Sequence, residues 1–86
     1  MATRISVISI LVENRDSTAA LNEILHRYGQ YVIGRMGIPY HKRGVSIISV
    51  AVEAPKDVIS ALSGSLGRLE GVSAKAAYSN CMYEDD

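Results

Sequence analysis

Val7-Ile8-Ser9-Ile10-Leu11-Val12-Glu13 recurs as Ile47-Ile48-Ser49-Val50-Ala51-Val52-Glu53 at a shift of 40 positions, and this pair of stretches decides the fold. β-branched residues dominate both, and apolar positions fall on both alternating faces, the pattern of a central strand covered twice rather than of a half-buried edge. In the first strand, Arg4 to Val12, one face carries Ile5, Val7 and Leu11 and the other Ile8, Ile10 and Val12, with only Ser6 and Ser9 interrupting. The second stretch extends from Val45 to Glu53.

Working outward, Asp16, Ala20, Leu21 and Leu25 match Asp57, Ala61, Leu62 and Leu66 at a shift of 41, so each central strand is followed by an equivalent helix. The first is predicted over 17–28, capped by Asp16 or Ser17, with Ala20, Leu21, Ile24, Leu25 and Tyr28 at helical spacing and Gly29 closing it. The second starts at Pro55, buries Val58, Ile59, Leu62 and Leu66, and ends near Gly67. Between the halves, Gln30 to Tyr40 is extended but interrupted by Gly34, Gly37 and Pro39, residues tolerated mainly at a sheet edge or a bulge. His41-Lys42-Arg43-Gly44 supplies a hairpin loop, and a last strand runs from Val72 to Tyr78. The order is βαββαβ, two βαβ halves. Right-handed crossovers then place both helices on one face of a four-stranded antiparallel sheet, a ferredoxin-like α+β sandwich with the first and third strands central. Residues 1–79 form one domain, and an acidic tail over 80–86 is expected to be unstructured.

Composition narrows the function. The 86 residues suit a single core, and nine basic against nine acidic side chains leave a formal net charge of zero, with no bulk attraction for phosphate backbones or anionic membranes. Direct nucleic-acid binding and membrane binding are not expected. A single cysteine, Cys81, excludes an internal disulfide framework, and no run approaches the roughly 18–20 apolar residues of a membrane span. A soluble, cytoplasmic protein is expected. A chain this short without staples has little margin over its folding entropy, and self-association would supply further burial. One apolar set on each central strand must face water in a monomer, so a homo-oligomer, dimer or tetramer, is expected. The interface residues named for it are Ile8, Ile10, Ile48 and Val50 on the central strands and Gly34, Ile38 and Tyr40 on the edge strand.

Gly34-Arg35-Met36-Gly37-Ile38-Pro39-Tyr40, followed by Val45-Ser46-Ile47-Ile48-Ser49 and by Ser60-Ala61-Leu62-Ser63-Gly64-Ser65-Leu66-Gly67-Arg68-Leu69, closely resembles the iron-only hydrogenase system regulator family, over Arg4 to Tyr78. A glycine-rich edge strand and a glycine-interrupted helix end both run against local propensity, which makes the set distinctive. The resemblance implies a fold similar to ACT domains and to the C-terminal domain of nickel-responsive repressors. It implies a role in iron-only hydrogenase expression or maturation. The chain departs from the family pattern at Ser65, where Lys is common, and at Glu70, where Pro is common. Losing that Lys weakens anion binding at the end of the second helix.

Two regions are candidates for a small-molecule effector. Arg35, Met36 and Gly37 lie on the glycine-flanked edge strand, where absent side chains admit a ligand or, alternatively, a bulge or an edge-to-edge dimer. ACT-like domains commonly bind ligands near the loop after the first strand, which here is Glu13-Asn14-Arg15-Asp16-Ser17; Asn14 and Arg15 are its candidates, and the alternative is a solvated turn and cap. The loop lacks the glycine that would bring backbone N–H groups to a carboxylate. His26, His41 and Cys81 are weak metal candidates at uninformative spacing, without C-x-x-C or H-x-H. No catalytic motif and no cofactor motif occurs. The leading expectation is a non-enzymatic regulatory module; a metal-sensing or metal-handling oligomer is second, and an acyl-phosphate hydrolase using Arg15 third.

Overall fold

The computed structural model describes residues 2–84. Its elements are β1 (Ala2–Val12), α1 (Thr18–Arg27), β2 (Val32–Tyr40), β3 (Val45–Ala54), α2 (Lys56–Gly67), β4 (Val72–Tyr78) and β5 (Tyr83–Glu84), with 3₁₀ turns at Arg15–Ser17 and Gly29–Tyr31. The strands run in the order β2-β3-β1-β4, all antiparallel, with the two repeated stretches adjacent at the centre as Leu11 opposite Ile47 and Val7 opposite Ala51. The βαββαβ sandwich expected from the internal repeat is therefore the fold.

Period-two alternation decides what is buried. Ser6, Ile8, Ile10 and Val12 of β1 and Ile48, Val50, Val52 and Ala54 of β3 all face the helices. Leu21, Ile24 and Leu25 of α1 and Ile59, Leu62 and Leu66 of α2 complete one aliphatic core with them. Each such side chain contributes about 1.5–3 kcal/mol on burial. Ser6 is admitted to this layer because its hydroxyl donates to the Ala77 carbonyl, 2.9 Å away, so no polar atom is left unpaired.

The loop after β1 is held by the turn before β4. Glu13 N–H donates to the Gly71 carbonyl at 2.7 Å, and the buried Ser17 hydroxyl donates to the Glu70 carbonyl at 2.6 Å. Asn14 Oδ1 accepts from Asp16 N–H at 2.9 Å, capping the 3₁₀ turn. Gly71 adopts φ +71°, and a Cβ there would lie 2.5 Å from that of Asn14, so the turn needs glycine for both reasons.

Two expectations change. Ile8, Ile10, Ile48 and Val50, named as interface residues, lie in the core beneath the helices. The open face belongs to the other set, where Val7, Leu11 and Ile47 are 42%, 44% and 41% exposed. The physical reason is that the serines Ser9 and Ser49 lie on that second set, while the helix-facing sets of both strands are apolar over Ile8, Ile10, Val12 and Ile48, Val50, Val52, and the more continuous apolar surface takes the helices. The tail also differs: Tyr83 and Glu84 pair with Thr3 and Ala2, and the Thr3 hydroxyl donates to Glu53 Oε2 at 2.6 Å beside this junction. Met1, Asp85 and Asp86 lie outside the described residues.

Candidate functional site

β2 lies at the edge of the sheet and pairs only with β3, so its alternate side chains serve two different surfaces. Arg35, Gly37 and Pro39 stand opposite Val50, Ile48 and Ser46 and share their helix-facing side. Met36, Ile38 and Tyr40 stand opposite Ser49, Ile47 and Val45 and share the open side. The register shifts between Val32 and Gly34, leaving Ile33 as the extra residue of a bulge. The bulge offered by the glycine pattern is thus present, at the start of β2.

On the helix side a groove runs between α1 and β2. Ten residues of helix span about 15 Å while nine residues of strand span about 30 Å, so α1 is too short to roof its neighbour. Three adjoining hollows form the groove. The central one, about 260 Å³, has Val12, Leu21 and Ile48 as its apolar floor and Thr18, Asn22, Arg35 and Ser46 as its polar wall. A hollow of about 290 Å³ continues it past Pro39 toward Arg15, Tyr40 and His41, and another of about 400 Å³ toward His26 and Val32. Arg35 separates the first from the third. Both of its terminal nitrogens point at Asn22 Oδ1, each 3.4 Å away, which is long for a hydrogen bond. None of the described residues lining these hollows is a carboxylate, whereas Arg15, Arg35, His26 and His41 all contribute.

The open side of the sheet is the second surface. Its rows read Ile38, Ile47, Leu11, Ser73 and then Met36, Ser49, Ser9, Lys75 and then Gly34, Ala51, Val7, Ala77 across β2, β3, β1 and β4. Met36 and Ile38 are 65% and 54% exposed. Lys75 is the one charge in those rows, and it lies at the β4 margin.

The ligand candidates therefore separate. Arg35, Gly37 and Arg15 meet in the groove, Met36 belongs to the opposite face, and Asn14 is engaged in its cap and packed against Gly71. Of the interface candidates, Gly34, Ile38 and Tyr40 lie on the open side while the four central-strand residues do not. His26 and His41 occupy opposite ends of the groove and Cys81 lies in the exposed segment before β5. Among the described residues no three His, Cys, Asp or Glu side chains converge as a metal site. Pro39 and Ser46 belong to the motif of the family resemblance without a ligand role there, and Thr18 and Asn22 on α1 join them in the groove unforeseen. The four-residue spacing of Thr18 and Asn22 beside Leu21 and Leu25 places polar groups along the flank of the buried stripe, but it does not say which strand they face.

A two-layer architecture of this kind, one sheet with both helices on one side, defines an α+β ferredoxin-like domain of ACT-like type. More narrowly, the chain belongs to the TM1266-like family, described as "Iron-only hydrogenase system regulator, putative", whose model matches residues 4–76. The uncharacterized protein TM1266 from Thermotoga maritima is similar in structure at a TM-score of 0.85 and 30% identity, covering 88% of this chain and 96% of that one. A formyltetrahydrofolate deformylase from Pseudomonas putida KT2440 shares the fold at a TM-score of 0.64 and 14% identity, over 90% of this chain and 29% of that one. A protein of unknown function from Galdieria sulphuraria does so at 0.61 and 18%, over 92% and 46%. No curated protein matches the chain. Among the described residues no helix is long and apolar enough to cross a membrane.

Proposed function

We propose that this chain is a non-enzymatic regulatory module of an iron-only hydrogenase system, which assembles with copies of itself through the open face of its sheet and changes that assembly when a small ligand or partner binds. The observation that carries the reading is the apolar open face, with Val7, Leu11, Met36, Ile38, Tyr40 and Ile47 all exposed on one side. Contiguous apolar patches of several hundred Å² on soluble domains mark interaction sites. A second copy is the occupant that fits. A twofold interface sets the same patch against itself, and its three rows from Ile38 to Ala77 carry only the marginal Lys75, with Glu53 beyond them opposite Ile5, so no like charges meet at its centre. The zero net charge removes long-range repulsion between copies.

The family description supports the regulatory role. The alternation of β2 links the two surfaces: a ligand beside Arg35 and Gly37 presses on the strand that presents Met36 and Ile38 to the interface. Sedimentation velocity at micromolar concentration tests the assembly, with a dimer or tetramer expected. A single monomeric species across that range sinks it.

A further inference from the structure

The groove between α1 and β2 has the chemistry of a site for one class of ligand, and we propose that it binds a small organic anion with an apolar body, with Arg35 as its counter-ion. This deepens the ligand-sensing part of the function proposed above and rests on it. Three independent features point the same way. The floor of the central hollow, Val12, Leu21 and Ile48, is apolar and continuous with the core, which suits a hydrocarbon body and not a bare inorganic ion. The Arg35 guanidinium spends its hydrogen bonds on a neutral amide oxygen at 3.4 Å, a weak partner that a carboxylate or phosphate would displace with shorter, charge-assisted bonds. Gly37 keeps the hollow open although neither space nor backbone requires glycine there: a Cβ would meet nothing within 4 Å, and its φ is not in the left-handed region.

The walls also select against zwitterions. With no carboxylate among the described lining residues, an α-ammonium group would stand beside the Arg35 and Arg15 cations without gaining a counter-charge. An amino acid should therefore bind less well than the fatty acid of the same length. Thr18 and Asn22 on α1 and Ser46 on β3 remain to donate to the second oxygen of the anion.

Titration of the ¹⁵N-labelled full chain with hexanoate, norleucine and inorganic phosphate, followed by amide NMR shifts, tests this. Hexanoate is expected to shift Leu21, Asn22, Gly37 and Ile48 saturably, and norleucine and phosphate to bind at least about tenfold more weakly. Arg35→Gln should weaken hexanoate about tenfold, Gly37→Val should weaken it by filling the hollow, and Arg68→Gln, whose guanidinium bonds Ser65 on α2, should leave it unchanged. Equal binding of norleucine, undiminished binding in both Arg35→Gln and Gly37→Val, or shifts confined to Val7, Leu11 and Ile47 would overturn the proposal. Sedimentation of the same samples separates the two readings. Groove binding by a monomer supports this site and overturns self-assembly, while an oligomer with no hexanoate response overturns this site alone.

Discussion

Gly71 shows how much a single residue can hold in a domain this small. It sits where the turn before β4 meets the loop after β1, with φ +71° and the Asn14 side chain against it. Alanine there must adopt a disfavoured backbone and move Asn14, whose backbone nitrogen is only 3.0 Å from the added Cβ. Gly71→Ala is expected to destabilise by about 1–3 kcal/mol, with a fall in Tm of about 4–8 °C for each kcal/mol. Gly29→Ala is the comparison, because a Cβ at Gly29 meets nothing within 4 Å. It should stay within about 0.5 kcal/mol of the wild type. Equal effects of the two substitutions in thermal unfolding would refute the close-approach argument.

At the scale of elements, β2 behaves unlike the rest of the sheet. It has one neighbouring strand, a bulge at its start and exposed side chains from Ile33 to Tyr40, so little burial holds it to the molecule. Gly37→Val places a β-branched residue in an edge strand with free space around it, and should be neutral or stabilising by up to about 1 kcal/mol in urea unfolding. A loss of stability instead would mean that the glycine is structural. The elements themselves were legible in the sequence because the repeat of Val7–Glu13 at Ile47–Glu53 marks both central strands, and Leu62 and Leu66 repeat the spacing of Leu21 and Leu25. Which face of the central strands took the helices was harder to read. Both faces are largely apolar, and Ser9, Ser49 and the terminal Glu53 distinguish the open one, while Ser6 is buried because it finds the Ala77 carbonyl. Arg35 and Gly37 stood out by residue type. Asn22 and Thr18 did not, because their role depends on α1 ending short of β2, a tertiary fact that periodicity does not carry.

For the whole molecule, the question is what a neutral chain of 86 residues would gain from the proposed assembly. A domain this small buries a modest share of its surface on folding, and side chains such as Leu11 and Ile47 add to stability only when a second sheet covers them. In the assembly proposed above, association becomes part of the folding equilibrium. Any partner that binds the folded state raises stability by RT ln(1 + [L]/Kd), about 2.7 kcal/mol at a hundred times Kd. The melting temperature of the wild-type chain should therefore rise with protein concentration. Ile47 is the residue to break this dependence, since it lies between Ile38 and Leu11 in the most apolar row of the open face, where a charge would be buried against its own copy. Ile47→Lys leaves the helix-facing core untouched, so the monomer should keep the wild-type circular dichroism spectrum, sediment as a single small species and melt at a temperature independent of concentration. An Ile47→Lys protein that still associates like the wild type would place the interface elsewhere, with the exposed β2 edge as the next surface to mutate.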